Sequence, residues 1–373
     1  MNNKEKNALQ REVVDALNLS PRGRLLLAPR CGKTKIGIDI IKKNKPESIL
    51  WVTPSAELAD KDIPAEFVKW KAKRFSNKLT TVTWMSLNKI TGHFGMIILD
   101  EEQFMTENNA SELLSRRLTA DSIISMTGTA SKHDEKKNLY RALKLPILYK
   151  ISINEAVDIK LLSNYTMKIL ECDMSTEKNI EAGNKDKKWM TSEVAQYDYL
   201  DRTAKQAIYQ NRADVGFRIM NRMRAIKNSP AKLDVAKWLF KNLEGRVLMF
   251  CSTIAQAEAV SEHRYHSKTD NTDLMKFKNG EIDKITMVNT GGTGHTYKAI
   301  DHLVIVQSDS DKNGLTSQKI CRTLLDQKDY EATIWMVSLI GTQDNSWIQS
   351  TLSNFDRSKF EYLRFKNILN TGL

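Results

Sequence analysis

The sequence predicts an α/β protein in two halves, each a mostly parallel sheet flanked by helices. Two observations carry this. Eight short apolar runs punctuate the 373 residues, and stretches of helix-forming composition separate most of them. That alternation is expected of parallel strands joined by crossover helices. The longest interval between runs, about 150 to 245, includes the polar segment STEKNIEAGNKDKKW (175–189) and places a boundary near 160 to 190.

The runs fall four to each half. RLLLA (24–28), SILWVT (48–53), GMIILD (95–100) and SIISMTG (122–128) lie in the first. RVLMF (246–250), KITMV (284–288), HLVIV (302–306) and TIWMVSLI (333–340) lie in the second. All are of strand length. There is no internal repeat of 20 to 50 residues and no low-complexity tract.

With 41% apolar and 27% charged residues, the chain can bury a core in each half, which argues against disorder. Cys31, Cys172, Cys251 and Cys321 stand far apart, with no Cys-x-x-Cys pair and no histidine at ligand spacing. Neither zinc nor a disulfide framework is indicated, and a reducing compartment fits best. No apolar run approaches the roughly 18 residues of a membrane helix, and MNNKEKNALQ lacks a signal-peptide core, so the expected location is the cytoplasm. A net charge of +12 and a pI near 9.3 favour a polyanionic partner.

Chemistry enters at LLLAPRCGKTKIGIDI (25–40), which reads as strand, turn and helix. In a phosphate-binding loop the turn's N–H groups and the helix N-terminus face the anion, the lysine reaches the β- and γ-phosphates, and the next hydroxyl ligates magnesium. Lys33 and Thr34, after Gly32, suit those roles. The full pattern has a glycine five residues before Gly32, where Leu27 stands, so an ordinary strand-to-helix turn with an exposed lysine is the competing reading. GMIILDEEQFM (95–105) ends a strand in Asp100-Glu101, where an open parallel sheet presents side chains to a ligand. Asp100 can hold a magnesium shell and Glu101 can orient or deprotonate a water.

In order along the chain, these segments resemble the motifs of superfamily 2 DNA helicases and translocases, particularly compact phage-type members that share features with chromatin-remodeller ATPases. ALQREVVDAL (8–17) resembles the opening segment, in which Gln10 would read the adenine edge. SILWVTPSAELADKDIPAEFVKW (48–70) is similar to motif Ia, TVTWMSL (81–87) to Ib, LDEEQ to the DExx box, and SMTGTAS (125–131) to motif III. YKISINEAVDIKLLSNYTMKIL (149–170) is similar to the crossing between lobes. RVLMFCSTIAQAEAV (246–260) resembles motif IV, NTGGTGHTYKAIDHLVIV (289–306) motif V, and QKICRTLL (318–325) motif VI. LIGTQDNSWIQSTL (339–352) is similar to the closing strand and helix of remodeller-like second lobes.

The resemblance implies two tandem RecA-like domains: a first over 1–160, a connecting segment over 161–245 and a second over 246–373. It implies ATP and Mg2+ as cofactors, held by Gln10, Arg30, Cys31, Gly32, Lys33, Thr34 and Gly294, with Thr34 and Asp100 on the metal. Asp100, Glu101, Gln318 and the arginine finger Arg322 would be catalytic. Thr53, Pro54, Ser86, Ser252 and Thr290 would contact nucleic acid, and Thr127 and Thr129 would couple the two activities. KWKAKRFSNK (69–78) and RIMNRMRAIKNSPAK (218–232) could extend the track. In the latter, Ile219, Met220, Met223 and Ile226 form a helical apolar face, leaving its arginines as a solvated side.

Four positions depart from the family pattern. Cys321 replaces a glycine and Leu325 a second arginine in motif VI; Gln103 stands where many members have histidine; Arg30 occupies a frequent glycine position. They allow a slow ATPase or an inactive one. The leading reading is a monomeric, ATP-dependent helicase or translocase acting on DNA in replication, recombination or repair, with RNA as the other candidate polymer and accessory proteins as candidate partners. The alternatives are a nucleic-acid-binding or annealing protein with a vestigial ATPase, and an unrelated P-loop ATPase or kinase.

Overall fold

The computed structural model describes residues 3–17, 20–128, 134–183, 187–288, 299–308, 314–321, 323–324 and 330–371. In chain order the elements begin with α1 (Asn3–Ala16), β1 (Arg22–Leu27), α2 (Lys33–Asn44), β2 (Ile49–Thr53), α3 (Ile63–Lys69) and β3 (Leu79–Thr83). There follow β4 (Gly92–Asp100), α4 (Glu107–Leu114), β5 (Leu118–Thr127), α5 (Asp134–Ala142), β6 (Ile147–Ile151) and α6 (Ile153–Asp158). Next come β7 (Asn164–Cys172), β8 (Ile180–Gly183), β9 (Lys188–Thr191), α7 (Glu193–Tyr209), α8 (Val215–Lys227) and α9 (Pro230–Asn242). They continue as β10 (Val247–Cys251), α10 (Ile254–Val260), β11 (Arg264–Tyr265), α11 (Thr272–Asn279), β12 (Lys284–Val288) and β13 (His302–Ile305). The last are α12 (Leu315–Cys321), β14 (Glu331–Leu339), α13 (Gln343–Leu352), β15 (Phe360–Arg364) and α14 (Phe365–Thr371).

These elements form two compact units. The first is Met1–Ser163 with Lys312–Asp329, and the second is Asn164–Asp311 with Tyr330–Leu373. Helix α12 therefore belongs to the first.

The first unit is built on a six-stranded sheet in the order β3-β2-β4-β5-β1-β6, parallel at every pairing. Strand β2, Ile-Leu-Trp-Val-Thr, is buried at all five positions, as expected of a strand covered on both faces. Helix α2 comes close to it. A Cβ on Gly37 would stand 2.6 Å from Cη2 of Trp51, whose indole packs edge-on against Phe67. The glycine is therefore a requirement of packing.

The second unit carries a seven-stranded parallel sheet in the order β11-β12-β10-β13-β14-β7-β15. A separate antiparallel hairpin, β8 with β9, precedes α7. At the sheet's carboxyl edge, Lys232 and Asp344 form a fully buried ion pair with 2.5 Å between Nζ and Oδ2. The lysine also donates to the Val306 carbonyl at 3.1 Å and to Gln307 Oε1 at 2.8 Å, while Asp344 accepts from Gln307 and from the Leu339 amide. Such saturation makes a buried charge pair tolerable.

All eight apolar runs are strands, and both main sheets are parallel, as the sequence leads one to expect. Two features differ. Strand β7 lies between β14 and β15 although its apolar residues alternate with polar ones. Its neighbours cover those polar side chains: Thr166 donates to Glu331 at 2.6 Å, and Lys168 lies 5.1 Å from the Trp335 ring centroid. On α8, Ile226 is fully buried, Met223 packs beside it and Arg224 is exposed, as expected, but Arg222 is buried and Met220 is 48% exposed. Arg222 points inward because Asp201 of α7 receives its guanidinium at 2.8 Å.

Gly37→Ala sets two effects in opposition. Alanine favours an α-helix by about 1 kcal/mol, whereas forcing a methyl into a filled core costs about 1–3 kcal/mol. Because Trp51 is fully buried and held by Phe67, the steric cost wins. Thermal unfolding should show a lowered Tm; an unchanged or raised Tm would mean that the α2–β2 contact is loose.

Candidate active site

Strand order assembles the site. Within the first sheet β4, β5 and β1 are adjacent, with Asp100 level with Met126 and Leu26 level with Thr127. Because these strands run in one direction, the segments that follow them emerge at a single edge.

After β1 the chain turns through Ala28–Gly32 into α2. The Cys31 amide donates to the Ala28 carbonyl at 3.3 Å, and the Ile36 amide to the Gly32 carbonyl at 3.0 Å. Gly32 has φ 84°, and a Cβ there would stand 2.5 Å from Gln10 Nε2. Only glycine suits that backbone and that gap. Gln10 donates to the Cys31 carbonyl at 2.8 Å, while its Oε1 is buried with no hydrogen-bond partner. Burial pushes the Cys31 thiol up to about 12, against the opposing charge of Lys33, so it is no nucleophile at neutral pH. Lys33 and the half-buried Thr34 are the first two residues of α2, whose first-turn amides have no partner within the helix.

Glu101 is where the segments meet. Its Oε1 receives Lys33 Nζ at 2.5 Å, the two side chains being 20% and 17% exposed. Its Oε2 receives Gln103 Nε2 at 3.0 Å and Gln318 Nε2 at 3.0 Å, with Thr127 Oγ1 3.5 Å away. Gln318, on α12, lies in the same unit. Burial alone would raise the Glu101 carboxyl, but the Lys33 charge and hydrogen bonds from Lys33, Gln103 and the Gly128 amide hold it below the usual carboxylate range. Lys33 is likewise raised, because Glu101 and Asp100 outweigh its burial. Both Glu101 (φ 52°) and Arg30 (φ 68°) occupy the left-handed region, conformations that side-chain-bearing residues hold only where their surroundings enforce them.

Asp100 behaves oppositely. Burial, and then the charge of Glu101, raise it to about 7, with Lys33 offsetting part of the rise. This carboxylate lacks positive charge that a divalent cation would supply. Among the described residues no group of three or more His, Cys, Asp or Glu side chains could hold a metal. A cation here would draw most of its ligands from water and bound phosphates, which suits magnesium.

Gln103 joins two segments. Its Nε2 donates to Glu101, and its Oε1 accepts from Thr127 Oγ1 at 2.6 Å. An amide at this position thereby supplies both a donor and an acceptor.

Sequence reasoning missed the third acid. Glu102 is buried and takes Arg24 of β1 in a bidentate pair, Nε to Oε1 at 2.9 Å and Nε to Oε2 at 3.0 Å, with Nη2 also donating to Oε1. Ser125 donates to its other oxygen. The loop is further held by Trp84 Nε1 on the Asp100 carbonyl at 3.0 Å and by Lys136 on the Gln103 carbonyl at 3.1 Å. One signal was present: a charged residue inside the otherwise apolar run RLLL requires a buried partner.

The remaining candidates are not gathered here. Thr53 ends β2, fully buried, with its hydroxyl lacking a hydrogen-bond partner, and Pro54 follows half-buried. Ser86 receives the Thr83 hydroxyl at 3.3 Å. Ser252 follows β10 in the second unit, its amide bonded to Gln256 Oε1 at 2.8 Å and its hydroxyl buried without a partner. Thr129, Thr290, Gly294, Arg322 and Leu325 lie outside the described residues.

No family model and no curated protein matches the sequence. Solved structures do. The ATP-dependent Type ISP restriction-modification enzyme LlaBIII, solved bound to DNA, is similar with a TM-score of 0.60 at 12% identity over 96% of this chain. This chain spans 31% of that enzyme's length. The helicase domain of Pyrococcus furiosus Hef is similar with a TM-score of 0.50 at 12% identity, over 93% of this chain and 97% of that one. The chain shares an α/β fold with these two structures, with two mostly parallel sheets consistent with tandem RecA-like domains. Among the described residues no helix is long and apolar enough to cross a membrane.

Glu102→Gln would leave Arg24 as a buried cation without its counter-charge, a loss of about 3–5 kcal/mol. Urea unfolding should show it, and the double variant Arg24→Met with Glu102→Met should recover most of the stability. A single variant as stable as the parent would mean that the ion pair does not hold this loop.

Proposed function

We propose that the chain is an ATP-dependent nucleic-acid translocase or helicase, acting in the cytoplasm on DNA in replication, recombination or repair. RNA is the second candidate polymer. The observation that carries this reading is the meeting of Lys33, Gln103, Thr127 and Gln318 on Glu101, beside Asp100 at the strand ends. The fold shared with helicase domains and the net charge of +12 support it.

The residues fit a nucleoside triphosphate. The turn before α2 offers amides, Gly32 lets Gln10 pack against the turn, and Gln10 Oε1 is an acceptor awaiting a donor such as the adenine amino group. Magnesium, when bound through Thr34 and Asp100, would neutralise charge on the phosphate oxygens. Lys33 serves the nearest anion: Glu101 in the nucleotide-free chain, and the β,γ-phosphates in the loaded one. Its departure releases Glu101 Oε1 to orient and deprotonate water. Glu101 Oε2 stays joined to Thr127 through Gln103, so a change at the carboxylate reaches the segment after β5. Arg322, four residues after Gln318 in sequence, is proposed to meet the transition-state charge. Thr53, Pro54, Ser86, Ser252 and Thr290 are proposed to line the nucleic-acid track of a monomer, alongside accessory replication or recombination proteins. Thr129, with Thr127, is proposed to couple that track to the nucleotide, and Gly294 to contact the nucleotide.

One observation favours a second reading. A carboxylate that accepts from Lys33, Gln103 and Gln318 and lies below its usual range is a weak base, which suits a nucleic-acid-binding protein with a reduced ATPase.

Steady-state ATP hydrolysis with and without DNA or RNA separates these readings. Stimulated turnover supports the first, and tight nucleic-acid binding without turnover supports the second. Within the first, Glu101→Gln should retain ATP binding and slow turnover at least about 100-fold. Lys33→Ala should weaken ATP binding itself, and an unchanged affinity would remove the loop from its role. Arg322→Ala should cost about 10³-fold in turnover with binding retained; normal turnover would mean that another cation serves.

A further inference from the structure

Away from the strand ends that carry Lys33 and Glu101, a second cavity of about 620 Å3 opens near the amino ends of β1 and β6. Its walls include Ser20, Arg24, Lys137, Tyr140, Arg141 and Lys144. The described lining thus has four cationic side chains and no acidic one. Its size is that of a small-molecule site, for which about 300–1,000 Å3 is usual.

The arrangement follows from helical spacing. Positions 137, 140, 141 and 144 are separated by three, four and seven residues, so α5 and the turn after it direct them to one side. Lys137 pairs with Asp134 at 2.7 Å, and Arg141 donates to Asn138 at 3.3 Å; both are exposed contacts that an incoming anion can displace at little cost. Arg24 is different. Glu102 holds its guanidinium in place, and the group also lies 3.7 Å from the centroid of the Tyr140 ring.

Tyr140 supplies the independent observation. It is 3% exposed, and its hydroxyl is buried with no hydrogen-bond partner. Burial, and then the charge of Glu102, raise the phenol, so it stays protonated as a donor. An unmet hydroxyl donor beside displaceable cations is completed by acceptor oxygens that carry negative charge. Several cations converging on one cavity favour phosphate over a single carboxylate, because a phosphate offers more charge and more oxygens.

We propose that this cavity binds a phosphate-bearing anion of up to nucleotide size, at a place distinct from the loop before α2. Arg24 touches both the cavity and Glu102, so the bound anion lies one side chain away from the loop that carries Asp100 and Glu101.

The test is calorimetric titration of the full chain with inorganic pyrophosphate in a Lys33→Ala background, which deprives the other phosphate loop of its cation. One pyrophosphate should bind per chain. Adding Arg141→Ala with Lys144→Ala, both at exposed positions, should weaken binding at least about tenfold, since one charged hydrogen bond alone accounts for about that much. Tyr140→Phe keeps the ring beneath Arg24 and should weaken binding about fivefold, with the circular dichroism unchanged. A short single-stranded oligonucleotide serves as competitor: displacement of pyrophosphate identifies a backbone phosphate as the source, and its persistence identifies a small molecule. Absence of binding in Lys33→Ala, or an affinity unaffected by Arg141→Ala with Lys144→Ala, overturns the proposal. Neither result depends on whether the chain hydrolyses ATP.

Discussion

The ion pair between Lys33 and Glu101 is the contact about which the first unit's chemistry is arranged. Each partner alone would be costly at that depth, and each shifts the other toward its charged form. The pair also sets Asp100 apart: burial, and then the charge of Glu101 beside it, raise this second carboxyl to about 7. Two adjacent acids thereby acquire different electrostatic characters, one lowered and the other raised from the ordinary carboxylate range.

That contact depends on strand order. Lys33 and Glu101 are 68 positions apart, and they meet because β4, β5 and β1 are neighbours that run in one direction. Behind them the Arg24–Glu102 pair crosses from β1 to the loop after β4 and fixes the turn in which Glu101 takes its left-handed conformation. Gln103, Thr127 and Gln318 then attach three further positions to the same carboxylate. A change of charge at Glu101 is therefore felt after β5 and on α12 without a long chain of intermediates.

Much of the fold was legible because parallel strands buried on both faces read as continuous apolar runs, and all eight runs are strands. Strand β7 was obscure for the converse reason: neighbouring strands and Trp335 cover its polar positions, and sequence does not show what covers a residue. The inward turn of Arg222 was hidden similarly, since helical periodicity ranks faces by apolarity while Asp201 supplies a reason to bury a cation. At the site, the proximity of Lys33, Asp100 and Glu101 could be anticipated from their places just after strands. The pairing of Glu102 with Arg24 could not, because it depends on which strands are neighbours. Gln103 shows why a motif letter is an incomplete guide: an amide makes both of the contacts needed at that position, donating to Glu101 and accepting from Thr127.

On the proposed reading, Lys33 exchanges Glu101 for the phosphates of a bound nucleotide. The most direct measurement is a crystal structure of the chain with magnesium and a non-hydrolysable ATP analogue. The account predicts that Lys33 Nζ leaves Glu101 for the β,γ-phosphates, while Gln103 still joins Glu101 to Thr127. A bound analogue with the 2.5 Å contact between Lys33 and Glu101 intact would contradict it.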